Sequence, residues 1–339
     1  MEKNTNNIHQ NAAAGGSKGG AGKNGRIADK KELLGAAGIF IAALLWGVSY
    51  PATKIVEDQP TFFILPVRFL VAAAVLAVVF HRNLARIDLK VIKQAFMLSF
   101  FITGMYVFST IGIKYTISAR ASFFTCLTFV FVPIINRILF KVKINGIIAR
   151  SIIICFVGVL LLSYTPGMAG LALNAGDLLC MVASVAGSLH IIFLDRISRG
   201  SGSDVKAADD EHDKAPAEND FDPMLFTTLL MAFVALWTSA AALFTGSFSD
   251  IHITPLHLGT IVFLGLFCSA AAFLLQSVCQ QYVPANRAGV IFAMEPASGC
   301  VISVILLNEA MGAAGWIGAG LVLLSSVYME VASNRKSDK

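Results

Sequence analysis

Apolar runs of about 20 residues, separated by short polar clusters, recur along nearly the whole chain. They fall at about 35–56, 61–80, 93–113, 119–140, 147–165, 175–194, 223–246, 257–280, 284–307 and 313–332. Each is long enough to cross a hydrocarbon core about 30 Å thick as a helix. The pattern predicts an all-α, polytopic membrane protein of ten transmembrane helices. Ahead of these runs, residues 1–32 are rich in Gly, Asn, Ala and Lys and have no hydrophobic period, which predicts a disordered cytoplasmic tail. The first apolar run lacks the short hydrophobic region and small-residue cleavage site of a signal peptide, so it is expected to stay in the membrane. Residues 195–222 form a long link carrying Asp204, Asp209, Asp210, Glu211, Asp213, Glu218 and Asp220, expected to be a solvated cytoplasmic loop.

Charge adds orientation. All Lys and Arg except Lys54, Arg68, Lys114 and Arg120 fall on one side of a ten-span topology, and basic residues resist translocation more than acidic ones do. Both termini, including residues 333–339, are therefore expected in the cytoplasm, with the protein in the plasma (inner) membrane. Composition agrees: of 339 residues, 56% are hydrophobic and 14% charged, well under the ~25% charge of soluble domains. The net charge of +5 comes from residues flanking apolar runs, with no aromatic-interleaved basic surface, so nucleic acid is not an expected partner. The six cysteines form no C-x-x-C pair, and no zinc or disulfide framework is expected.

Tyr115, Arg120 and Ala121 recur as Tyr282, Arg287 and Ala288 at a constant offset of 167 residues, and each group precedes an apolar run holding a proline, Pro133 or Pro296. With five spans in each half, an odd number, the halves must be inverted in the membrane. The expected units are a first five-helix repeat over 33–165, its counterpart's first helix over 166–194, and the remainder of that second repeat over 223–332. Inverted repeats of this kind place a substrate site near the bilayer midplane between them.

Several residues then carry a family likeness: Trp46-Gly47, Arg68-Phe69, Gly176-Asp177, Leu189-His190-Ile191, Gln276 and Gln280, the block from Arg287-Ala288 to Glu295-Pro296, Asn308-Glu309, and Gly318. In their order and spacing over about 33–332, the chain resembles the drug/metabolite transporter superfamily, in its ten-helix EamA-type branch. That resemblance implies a permease, not an enzyme, that exports metabolites, amino acids or toxic compounds. An importer or exchanger on the same scaffold, or a membrane-embedded sensor or enzyme, is the alternative.

Ionisable and polar groups at membrane depth are the candidate site, because lipid offers them no partner. Glu295 precedes Pro296, whose missing N–H frees a carbonyl one turn back. It can couple proton movement or anchor a cation, or else make a helix–helix hydrogen bond. Arg68 can hold an anionic group or snorkel to external headgroups. His190 can respond to protons near neutrality or be satisfied by a neighbouring carbonyl. Trp46 and Tyr50, one turn apart, share a helix face that suits a cavity wall or ordinary packing. Gln276 and Gln280 have the same spacing and the same two readings. The Gly- and Ala-rich run over 312–320 suits close helix packing or a homodimer contact. No phosphate loop, zinc-binding helix or nucleophile elbow is present, so no cofactor or metal is expected. The expected partners are a small-molecule substrate and the lipid bilayer.

Overall fold

A computed structural model describes residues 18–56, 58–85, 87–115, 124–162, 174–199, 221–246, 251–307 and 312–337. Among them every regular element is helical. In chain order these are α1 (Lys18–Ile55), α2 (Thr61–Val79), the short α3 (His81–Leu84), α4 (Leu89–Tyr115), α5 (Thr128–Phe140), α6 (Gly146–Leu162), α7 (Ala175–Arg199) and α8 (Pro223–Thr245). Next, α9 (Pro255–Phe263) runs through a π-helical stretch, Leu264–Ala271, into α10 (Ala272–Cys279). The last elements are α11 (Ala285–Phe292), α12 (Met294–Leu307) and α13 (Ala313–Ser337). Among the described residues, six segments are long and apolar enough to cross a membrane: Lys30–Ile55, Thr61–Val79, Leu89–Ile113, Ala175–Ser198, Pro223–Thr245 and Pro255–Cys279. The apolar stretches Phe124–Phe140, Gly146–Leu161 and Ala313–Met329 are shorter.

Helix ends follow local chemistry. Asn174 and Asp177 cap α7 reciprocally: each backbone N–H donates to the other's side chain, at 3.0 and 2.8 Å. Asp222 caps α8 by accepting from the N–H groups of Met224 and Leu225, with Pro223 in the first turn, and Gly246 closes that helix at φ +62°. Thr254 and Pro255 start α9 in the same way. Two boundaries differ from expectation. Helix α1 begins at Lys18, so part of the expected tail is helical; no proline interrupts its hydrogen-bond ladder before Pro51, and Glu32 gains a partner described below. Helix α7 runs on to Arg199, and the acidic residues of the expected link lie outside the described residues.

The outward faces are apolar: Phe244 is 91% exposed, and Val78, Leu243 and Ile138 are each above 70%. Inside are Ser99, Ser151, Ser188, Thr227 and Thr238, all buried. Apolar outside with polar groups inside is the arrangement lipid demands. Two large apolar clusters fill most of the interior, with smaller ones around Ile64 and Leu264 and around Ile148 and Val290. One is centred on α1, α5, α11 and α12; the other on α2, α4, α8 and α10; Trp46 packs against both. Helix α13 lies along α6, where a Cβ on Gly158 would come 2.9 Å from the Gly318 carbonyl oxygen. Gly318 of this last span thus serves a contact within the chain, while Gly320 faces open space.

Candidate functional site

A cavity of about 190 Å³ lies between these clusters, walled by α1, α2, α4, the residues leading into α5, α7, α10, α11 and α12. Six of the seven residues singled out from the sequence line it, Trp46, Tyr50, Arg68, His190, Gln276 and Glu295; Gln280 lies behind Gln276 and does not. It extends along α1 as far as Lys54.

Arg68 is 4% exposed, in the middle of the chain's second apolar span. It does not snorkel. Its guanidinium donates from Nε to Ser269 Oγ at 2.7 Å, and from Nη2 to the Tyr106 hydroxyl and the Cys268 carbonyl, both at 3.3 Å. It also stands 4.9 Å from the centre of the Tyr106 ring, a cation–π contact. Every one of these partners is neutral, and among the described residues no carboxylate pairs with this charge. The π-helical stretch explains the geometry. A π turn shifts the backbone register by one residue, and here the Cys268 carbonyl accepts from Arg68 and from the Trp46 indole N–H at 3.0 Å. Gly265, within the same stretch, lets α2 come so close that a Cβ there would sit 2.8 Å from the Arg68 carbonyl oxygen.

Glu295 opens α12 and accepts a 2.9 Å hydrogen bond from the Tyr50 hydroxyl. The two helices meet closely because Gly47 has no side chain; a Cβ there would collide with Ser298 and the Glu295 carbonyl. Trp46, one turn before Tyr50, meets Phe273 edge-on with ring centres 5.1 Å apart and Phe292 at 5.2 Å. His190 stands 6.0 Å from the Phe273 ring, and neither ring nitrogen has a hydrogen-bond partner. Gln276 donates to Gln280 Oε1 at 3.1 Å, and Gln280 donates to the Ile191 carbonyl at 2.6 Å.

At the other end of α1, the carboxylate of Glu32 accepts from Arg287 on α11, a residue only 5% exposed. Lys31 lies over the Tyr282 ring, 6.0 Å from its centre. Gly35 and Gly38 bring α1 so near Cys279 that a Cβ on Gly38 would overlap its sulfur. This end of α1 is packed shut, whereas the Tyr50–Lys54 end borders the cavity.

The profile of the EamA-like transporter family matches residues 33–164 and again 215–330, so one domain type occurs twice along most of the chain. The chain belongs to the EamA-like transporter family. It is therefore an integral, multi-pass membrane transporter and not an enzyme. An uncharacterised transporter of Archaeoglobus fulgidus is 26% identical over 308 residues, covering 89% of this chain and 87% of the relative. The uncharacterised transporter YetK of Bacillus subtilis is 23% identical, covering 93% and 92% of the two chains. A solved crystal structure 17% identical in sequence superposes with a TM-score of 0.68, covering 89% of this chain and 98% of that one, which shows a shared fold.

Within this EamA-like chain, sequence reasoning missed Tyr106, Ser269, Phe273 and Phe292. Phe273 had a usable signal: it precedes Gln276 by three residues and so shares its face. Ser269 and the Cys268 carbonyl had none, because a π turn leaves no compositional mark. Glu32 was assigned to the tail, and its bond to Arg287 spans 255 residues.

Proposed function

We propose that this chain is a secondary transporter that exports small metabolites, amino acids or drug-like compounds by alternating access. In this reading ten helices form two inverted five-helix repeats, over 33–165 and 166–332, joined inside the second by the cytoplasmic loop 195–222, with both termini in the cytoplasm. The inverted arrangement is supported by how the helices pair. Helix α2 packs on α8, α5 on α11 and α6 on α13, each a span with its own counterpart in the other half. The contacts of α1 with α10 and with α11–α12 have counterparts in those of α7 with α4 and α5. A two-fold relation between the halves produces such matched pairs.

One observation carries the reading: the cavity between the halves contains a buried arginine whose hydrogen-bond partners are all neutral, together with a carboxylate in another part of the wall. A buried charge without a counter-ion is costly, and an anionic group of a substrate would supply one. Arg68 then holds that group, Trp46 and Tyr50 form the wall, Gln276 and His190 offer polar contacts, and Glu295 anchors a cationic group. Glu295 and His190 are the groups placed to couple proton movement to transport. With both termini inside, the cavity extends towards the external face and the Glu32–Arg287 end is the closed, cytoplasmic one. Rocking of the halves exchanges the two states.

The test is flux of candidate solutes in proteoliposomes under imposed gradients of either sign. Arg68→Ala and Glu295→Gln should each lower flux by about 100-fold, roughly the 3 kcal/mol attached to a desolvated charge contact. Unchanged flux in both variants would reject the site.

A further inference from the structure

The amide relay of Gln280 and Gln276 has a direction that is fixed by chemistry. A backbone carbonyl can only accept, so the group of Gln280 that meets Ile191 O must be its NH₂, and its Oε1 must then face Gln276. Gln276 in turn must present its own NH₂ to Gln280. Its Oε1 is therefore left over, without a partner, in a residue that is 1% exposed and lines the cavity. His190, on the same wall and 2% exposed, leaves both ring nitrogens unpartnered. A neutral imidazole has one donor and one acceptor. The imidazole N–H can turn to Gln276 Oε1, or the second N–H of Gln276 can turn to the ring, but one amide and one ring cannot close both bonds at once, so one acceptor on this wall stays open whichever way the two side chains turn. An unsatisfied buried acceptor is unfavourable until something donates to it.

We propose that Gln280, which does not line the cavity, is a positioning residue. It orients Gln276 so that the cavity recognises an N–H or O–H donor on the substrate. The inference rests on the transport reading above and narrows it. Ser269, which holds Arg68, and Gln276 lie seven residues apart on one continuous helix, about 10 Å along its axis. Phe273 lies between them. The substrate class is accordingly a small carboxylate, held by Arg68, with an apolar middle and a neutral hydrogen-bond donor at its far end.

The experiment uses matched probes that differ only in that donor: para-hydroxyphenylpropanoate and L-tyrosine, each against its O-methyl ether. Binding to the purified full chain is measured at pH 8, above the ordinary imidazole value of about 6.5. The wild type should prefer the hydroxyl form by at least about fivefold, the lower range for an unpaired buried polar group. Gln280→Met should bring that ratio within about twofold while leaving affinity for the ether nearly unchanged. A purely structural role for Gln280 would weaken both probes alike and keep the ratio. Should Gln280→Met fail to fold, Gln276→Met removes the acceptor directly and should erase the same preference. A wild-type ratio near one, or a ratio that survives in the variant, overturns the proposal. If no probe binds, the carboxylate–donor class is wrong. The transport reading stands or falls separately, on whether any solute shows flux sensitive to Arg68.

Discussion

Arg68 and Arg287 are both buried arginines, yet their surroundings differ in kind. Arg287 meets the Glu32 carboxylate, and its charge is matched inside the protein. Arg68 meets a hydroxyl, a phenol, a backbone carbonyl and an aromatic ring, and no carboxylate touches it among the described residues. A matched pair holds two helices together and needs nothing further. A charge held only by dipoles still attracts an anion, and here it does so within a cavity. Burial alone thus does not separate an arginine that fastens from one that binds; the identity of its partners does.

The largest effect should come from breaking the matched pair. Glu32→Gln removes the carboxylate that faces the buried Arg287 guanidinium and should cost about 3 kcal/mol, read as a lower apparent Tm of the purified protein. Glu32→Gln combined with Arg287→Leu should recover most of that loss, and a double variant no more stable than the single one would show that the pair is not what fastens α1 to α11. The opposite pattern is expected at Arg68. Arg68→Lys should retain the fold but lose most flux, because an ammonium cannot contact Ser269, Tyr106 and Cys268 together or accept a carboxylate in two-pronged geometry.

Next in size is the approach of α2 to the π-helical stretch. Gly265→Ala puts a methyl group against the Arg68 carbonyl and Val71 and should destabilise by about 2 kcal/mol, with a matching fall in Tm. The smallest effect is expected for Tyr50→Phe, which removes one hydrogen bond from Glu295 and should cost about 1 kcal/mol in Tm-derived stability.

Much of this was legible in the sequence. The apolar runs announce helices because lipid leaves a chain few other ways to satisfy its backbone, and the six cavity residues stand out because each is polar, ionisable or amphipathic within an apolar run. What distinguishes Arg68 from Arg287 was not legible. Both are single arginines within apolar runs, and the partners that tell them apart, Cys268 and Glu32, lie 200 and 255 residues away. The sequence places Arg287 at the cytoplasmic end of the apolar run 284–307 and gives no sign that a carboxylate from α1 lets it be buried. The π turn was equally silent, since Leu264–Ala271 reads as ordinary helix. By contrast, the reciprocal cap of Asn174 and Asp177 shows that Gly176-Asp177, first noted only as a family likeness, has a plain local cause.

Trp46 touches both large interior clusters, donates its indole N–H to the Cys268 carbonyl and borders the cavity. The chain has only two other tryptophans, and Trp316 is half exposed on the outer face while Trp237 hydrogen-bonds Ser99. With both replaced by phenylalanine, the remaining indole would be an intrinsic optical probe at the centre of the bundle, its emission reporting in real time when a solute arrives or the halves part.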